Sequence, residues 1–339
     1  MVSTRGYISL NFTKAFLTIF LPFFLIISLV YLVNISSLTA KIQLSFGELL
    51  TLYSYSIPNI IFYTLPLSFI AALANTLSKL STDNELIALY ALGLKANKVL
   101  KGLLILSILF SLLLLSISFL GMPLSKQYYK SFKSTKKSEA KLNIVEGKLG
   151  QKFGDYYIYI QKKANDTFHN IVIYNRTNKN EEQFFSSQEG NLNKKNGTTS
   201  LLLKEGYGYT YSNTKLQQAK YKTLEVYDSS RQRAFHFEDI ISYWSKAKTD
   251  NKIMHRILFF LFVSLIPILS VYSVAAYTMI NPRYQPNRSF IVIFITTLLL
   301  YLIASSLEKW GNFPILIIAI LTTLFFGKWL FNRRVAKYF

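Results

Sequence analysis

Apolar residues in this chain gather in six blocks of about twenty, the length that crosses about 30 Å of hydrocarbon as a helix. They occupy residues 15–33, 57–77, 103–120, 257–277, 290–307 and 314–331. The third block is expected to close at Gly121 and Pro123, since both residues punctuate helices. Between the third and fourth blocks the pattern changes. Tyr156, Ile158 and Ile160 alternate with Tyr157, Tyr159 and Gln161. Short apolar runs follow at 171–174, 201–203, 207–211 and 224–227, separated by Asn/Gly/Lys clusters such as 193–198. Period-two alternation with turn punctuation predicts an all-β domain of six or more short strands, a sandwich or an open jelly roll. The expected fold is therefore a membrane α-helical bundle of six transmembrane helices with an inserted, jelly-roll-like all-β domain. Its divisions are 1–122 (spans one to three), 123–252 (the β domain with a basic helical lead-in and a return segment) and 253–339 (spans four to six).

Charge orients the bundle. Lys and Arg in short flanks concentrate on the cytoplasmic side of membrane proteins. One side holds Arg5, Lys14, Lys79, Lys95, Lys98, Lys101, Arg283, Arg288, Lys328, Arg333, Arg334 and Lys337; the other side's short loops hold only Lys41 and Lys309. Both termini are expected in the cytoplasm. The remaining 24 basic residues lie in the long segment 121–256, and long domains translocate largely regardless of charge. That segment is expected outside, in the periplasm of a cell with two membranes. The first block is too long for a signal-peptide core, and no clear A-x-A site follows it.

Composition narrows the chemistry. There is no cysteine, hence no disulfide or Cys-ligated metal, and His169, His236 and His255 show no ligand spacing. No G-x-x-x-x-G-K-[ST] loop is present, so the chain is not expected to bind ATP in the usual way. The interiors of the spans carry no Asp, Glu, Lys, Arg or His, which disfavours an ion-coupled carrier. No catalytic residue, cofactor site or metal site is expected. Pro22, Pro66 and Pro267 lie inside spans, as tolerated kinks or as a broken-helix site. The segment 121–256 carries 24 basic and 13 acidic residues, a net of +11. Outside the membrane, nucleic acid is not an expected partner. An anionic glycan or phosphorylated lipid fits the charge, and so does a plain soluble surface. The Tyr-rich strands read either as a stacking surface or as ordinary strand formers.

The loop between spans two and three is the other informative stretch. Thr82 can cap a short helix while Glu85, three residues on, reaches back to it. Asp83 and Glu85 suit the positive helix end, and Gly93 can supply a left-handed C-cap. Leu86, Leu89, Tyr90 and Gly93 share one face. The helix is either a docking element or a surface segment between two spans.

Pro66-Leu-Ser68 in span two, the stretch from Leu80 to Gly93 with its acidic Glu85, Asn281-Pro-Arg283 after span four, and three-plus-three spans around a β domain form an ordered set over nearly the whole chain. In that set the chain resembles the permease subunits of lipopolysaccharide export, the LptF/LptG family. The Asn-Pro-Arg motif is closer to the F-type subunit. The resemblance implies pairing with a sister permease and docking on a cytoplasmic ATPase dimer, which holds the ATP and Mg. The coupling helix would comprise Thr82, Asp83, Glu85, Leu86, Leu89, Tyr90 and Gly93. It implies that lipopolysaccharide leaves the inner membrane past spans one and five and enters a periplasmic jelly-roll bridge through the β domain. Lys41 and Lys309, alone in the short outer loops, are candidates for contact with lipid phosphates as point charges, or are interfacial anchors. Two other readings fit the spans: an ABC-type permease for another envelope lipid or lipoprotein, and a membrane-anchored envelope sensor or assembly factor. Co-purification of an ATPase separates the sensor from the permeases.

Overall fold

In a computed structural model the described residues are 4–39, 44–142, 145–153, 156–164, 167–178, 181–195, 198–212, 215–227, 237–282, 284 and 286–337. They form two compact units: Met1–Leu38, Phe46–Tyr129 and Glu238–Phe339 make up one, and Thr39–Ser45 with Lys130–Phe237 the other.

The first unit is helical. Its elements are α1 (Thr4–Thr39), α2 (Phe46–Ser54), α3 (Ile57–Thr82), α4 (Glu85–Ala91), α5 (Ala96–Ser116), α7 (Ile240–Ser245), α8 (Asn251–Thr278), α9 (Ser289–Trp310) and α10 (Phe313–Phe331). Helix α6 (Met122–Leu142) begins in this unit and runs on into the second. Six helices among the described residues are long and apolar enough to cross a membrane, and they contain the six expected blocks. Helix α1 is longer than its block: 36 residues reach about 54 Å, well beyond the hydrocarbon.

Helices α3 and α8 lie at the centre. Most of their residues are buried, including Ala72, Ala74, Thr76 and Ser78 on α3 and Ser264, Ser270, Ala275 and Ala276 on α8. Small side chains let helix backbones approach closely, which is how helices associate where lipid removes the hydrophobic drive. Ser118 and Ser264 face each other across the interior at 3.3 Å. Helices α1, α9 and α10 lie outside and present Leu25, Leu29, Phe294, Leu298, Leu321 and Phe325 outward. Phe12, Phe16, Phe69 and Phe110 lock α1 to α3 and α5 through ring contacts of 4.8–6.2 Å.

The third span does not close at Gly121 and Pro123. A π-turn, Ile117–Gly121, carries α5 directly into α6. Proline has no N–H, so the carbonyl four residues before it loses its helical donor. Here that carbonyl belongs to Phe119, and the Trp244 indole N–H donates to it at 2.9 Å, with the two rings 5.2 Å apart. The return segment thus repairs the helix that the proline would otherwise break. Gln127 ties the same place from both sides: its amide donates to the Glu238 carbonyl and accepts from the Glu238 N–H.

The second unit holds one antiparallel sheet in chain order: β1 (Gln151–Phe153), β2 (Tyr156–Ala164), β3 (Thr167–Asn178), β4 (Glu181–Lys195), β5 (Thr198–Ser212) and β6 (Lys215–Tyr227). The described strands make a single meander, with no second sheet facing it and without the crossovers of a jelly roll. One face is nonetheless buried: Ile158, Ile160, Phe168, Ile171, Ile173, Leu201, Leu203 and Val226.

A crease accounts for this. The ladder pairs Ile160 with Ile171 and Lys162 with His169, then His169 with Glu189 and Ile171 with Ser187. It continues as Ser187 with Gly206 and Glu189 with Lys204, then Lys204 with Thr223 and Gly206 with Tyr221. Gln161, Asn170, Gln188, Glu205 and Lys222 drop out of the ladder in one transverse line. Two of them, Asn170 and Glu205, have left-handed backbones at φ 53° and 50°. Such residues bend a strand and shift its alternation. Buried positions accordingly step by three across the line: Phe168 to Ile171, Ser187 to Gly190, Leu203 to Gly206. The sheet folds along that line and covers its own face. Gly206 is required there, because a Cβ would collide with the Ser186 carbonyl oxygen, the atom to which Tyr221 donates at 2.9 Å.

Candidate functional site: the junction of α3, α4 and α8

Three connections meet at the end of the helical unit that carries the basic clusters. They are the α3–α4–α5 turn, the α8–α9 turn, and the start of α1. The first two contain the stretches singled out in the sequence.

Helix α4 is shorter than expected and begins differently. Thr82 does not cap it. Helix α3 runs through Thr82, whose hydroxyl donates back to the carbonyls of Ser78 and Lys79. The N-cap is Asn84, in a left-handed conformation at φ 57° and with no side-chain cap bond. A continuing helix offers a threonine hydroxyl its own preceding carbonyls, and that local bond displaces the capping box. The other end follows the sequence closely. Gly93 takes φ 79°, its N–H donates to Tyr90 and the Leu94 N–H to Leu89, the paired closing bonds of a glycine-capped helix.

The apolar stripe faces inward. Leu86 is buried in the core of the helical unit, and Leu89 and Tyr90 pack against that core. Burial pushes the Tyr90 hydroxyl well above the usual phenol range, so it stays neutral. The side left exposed carries Asp83, Asn84, Ala88, Ala91 and Leu92, the last 79% accessible. Glu85 is half-buried at the seam, and its carboxylate accepts from the Tyr7 hydroxyl of α1 at 3.0 Å. It shares a polar recess of about 220 Å³ with Asn11, Lys14, Asn75 and Lys79.

Ser81 is the residue that sequence reasoning missed. One helical turn before α4, its buried hydroxyl donates to the Thr278 carbonyl at 2.8 Å and accepts from the Ile280 N–H at 3.3 Å. Ser78 reaches Asn287 beside α9 at 3.3 Å. The turn after α8, which begins with Asn281-Pro282, is thus bonded to the residues that launch α4. Ser81 stands in a polar stretch from Ser78 to Asn84, where no local pattern sets it apart from its neighbours. Arg283 and Lys41 lie outside the described residues. Lys309 is exposed in the last turn of α9, at the opposite end of the helix from this junction. Pro66 and Ser68 are buried in the middle of α3. Among the described residues, no group of three His, Cys, Asp or Glu is placed to hold a metal.

On the sheet, the exposed face carries an aromatic ladder. Tyr157, Tyr174, Phe184 and Tyr209 stand opposite one another on successive strands, with ring centroids 6.4 and 4.7 Å apart for the first two pairs. Cross-strand aromatic pairs stabilise a sheet by themselves.

The order of these parts is that of a known family: six spans, a β unit inserted after the third, and a short acidic helix between the second and third. The family model of the lipopolysaccharide export system permeases LptF/LptG matches residues 6–333. The chain belongs to the LptF/LptG family. Its match covers both units, the α4 junction and the turn after α8. No curated protein matches the chain. As a member of LptF/LptG it is a multi-pass membrane protein of a family of lipopolysaccharide export permeases.

Proposed function

We propose that this LptF/LptG chain is one of two paired permeases in an ATP-driven exporter, with α4 as its coupling helix to a cytoplasmic ATPase dimer. It works in the inner membrane with both termini in the cytoplasm, as the basic clusters at one end of the bundle favour. The sister permease completes the path. Lipopolysaccharide passes α1 and α9, then moves through the β unit to a periplasmic jelly-roll bridge. The Asn281-Pro-Arg motif favours the F-type role. The working divisions are 1–122, 123–252 and 253–339.

The observation that carries the reading is the construction of the junction. Helix α4 is fixed to the bundle by its apolar face and keeps Asp83, Ala88, Ala91 and Leu92 outward. Its launching residue Ser81 is bonded to the end of α8. A push on α4 is therefore delivered to α3 and α8, the two central helices, without bending a loop. Closure of an ATPase dimer under α4 would move that pair together and narrow the space beside the outer helices. Thr82, Asp83, Glu85, Leu86, Leu89, Tyr90 and Gly93 divide the labour. Leu86, Leu89 and Tyr90 seat the helix, Gly93 ends it, Asp83 offers charge to the partner, and Glu85 fixes the helix to α1. Lys309 and Lys41 are proposed to meet lipid A phosphates at the outer surface. Charge reversal at either should weaken lipopolysaccharide binding, and unchanged binding removes that part of the proposal. The chain needs no cofactor of its own, since ATP and Mg belong to the ATPase.

The test is purification from the native membrane in mild detergent, beside Glu85→Arg. The original is expected to carry an ATPase, a sister permease and bound lipopolysaccharide, and the variant to lose the ATPase. Absence of an ATPase from both forms across several detergents would overturn the proposal in favour of a membrane-anchored sensor.

A further inference from the structure

A second cavity adjoins the junction, with Ile280, whose N–H donates to Ser81, in its lining. It is a crevice of about 640 Å³ between α9 and α10, floored by α8. Helix α9 and its N-cap line it on every turn from Arg288 to Ile303, a rise of about 22 Å. Its depth is apolar, with Val292, Leu300 and Ile303. Its mouth, at the end of the bundle with the basic clusters, is cationic: Arg288 and Arg334 both line it, and the Arg334 guanidinium lies over the Tyr277 ring at 4.2 Å. No acidic residue lines the crevice. The only acid between residues 251 and 339 is Glu308, at the far end of α9.

A long apolar slot with a paired guanidinium mouth has one natural occupant in a membrane. We propose that it binds an anionic phospholipid of the leaflet at the basic end, which is the cytoplasmic leaflet under the orientation proposed above. One acyl chain runs along α9, and the phosphate bridges Arg288 and Arg334. Basic pockets between transmembrane helices on this side take anionic head groups. Guanidinium suits phosphate through bidentate bonding, and the Tyr277 ring holds Arg334 at the mouth. The lipid would fill the gap between α9 and α10 and brace them against α8. This is a structural lipid, separate from the cargo.

The full-length chain, purified in mild detergent, is titrated with phosphatidylglycerol or with phosphatidylcholine of the same acyl chains and read by native mass spectrometry. One phosphatidylglycerol is expected to be retained, at least tenfold over phosphatidylcholine. Arg288→Gln with Arg334→Gln should bring the two lipids level, a loss of about thirtyfold for two surface charges. Thr296→Trp, which fills the slot, should lower retention of both lipids alike while the elution profile stays that of the folded chain. Equal retention of the two lipids by the original chain overturns the proposal, as does indifference to both variants. Displacement by soluble glycerol phosphate would assign the arginines to a free phosphate instead, and overturns it too. A photo-cross-linker at position 296 in the native membrane should capture lipid; capture of a protein there rejects the lipid assignment. None of these readouts needs transport, so they fail or succeed independently of the export reading.

Discussion

The inner pair α3 and α8 and the outer helices α1, α9 and α10 are built from different residues for the same membrane. The inner pair is interrupted by Ser, Thr and Ala: Thr64, Ser68, Ala72, Ala74 and Thr76 on one helix, Ser264, Ser270, Ala275 and Ala276 on the other, all buried. The outer helices carry Leu, Ile and Phe on faces left open. In water the largest apolar residues would be inside. Here lipid is as apolar as leucine, so the interior is chosen for closeness of backbones and for hydrogen bonds from small side chains. Hydropathy alone finds all six helices but ranks them in the wrong order of burial.

The sharpest way to break this comparison is size. Ala275 on α8 is fully buried, whereas Leu298 on α9 is exposed. Ala275→Trp should cost about 3 kcal/mol or more and leave little folded protein. Leu298→Trp should change stability by about 0.5 kcal/mol or less. Thermal unfolding of the two variants in the same detergent decides it. If both are tolerated, the inner pair does not owe its place to close packing.

The same contrast explains how far the sequence could be read. The spans were legible because a run of twenty apolar residues has few other uses. Gly93 was legible because its role depends only on neighbours: a left-handed residue closes a helix with whatever precedes it. The strands were legible from alternation, up to the crease, where Asn170 and Glu205 shift the phase and carry no local mark of doing so. The failures share a cause. Pro123 reads as an end because its partner, Trp244, lies 121 residues away and supplies the missing bond. Thr82 reads as a cap, yet α3 continues past the point where a cap is wanted. Helix α2 (Phe46–Ser54), joined to α1 by the Tyr53 hydroxyl donating to Ser28 at 2.9 Å, is too short to stand out beside the spans. The site suffered most. The residues of the α4 stripe could be named, but their inward direction depends on α3 and α8, and Ser81 matters only through Thr278 and Ile280.

A polar interior makes a second, smaller prediction. Ser81→Ala leaves the Thr278 carbonyl and the Ile280 N–H without that hydroxyl, at a cost of about 1 kcal/mol, the usual scale for a hydrogen bond between membrane helices. Its effect on transport should exceed its effect on stability, because α4 would keep its seat while losing its link to α8. Measurement of ATP hydrolysis beside lipopolysaccharide release in reconstituted vesicles separates the two. Hydrolysis that persists while release falls supports the link. An equal fall in both points to misfolding instead.

Trp244→Phe tests the repair of the third span at a similar or slightly lower cost, about 1 kcal/mol. The ring contact with Phe119 and Phe260 survives, and only the indole N–H is removed. Unfolding should come a few degrees earlier, with the helical signal otherwise unchanged. Replacing Pro123 by Ala in the same background restores a backbone N–H within the helix and should recover part of the loss. Failure to recover would mean that the indole serves packing rather than the proline's orphaned carbonyl.

The smallest expected effect on stability falls at the outer rim. Tyr7→Phe deletes the hydroxyl that donates to Glu85, in a pair that is largely open to water. Water can replace such a donor, so the loss in stability should stay near 0.5 kcal/mol or below. Function is another matter if α4 couples the ATPase. Glu85 would no longer be held toward α1, and its carboxylate would move among the lysines of the recess, Lys14 and Lys79. The variant should keep its ATPase on purification yet waste hydrolysis, with fewer lipopolysaccharides released per ATP. A variant that releases as much per ATP as the original would mean that α4 is seated by Leu86, Leu89 and Tyr90 alone, and that the bond to α1 merely decorates the rim.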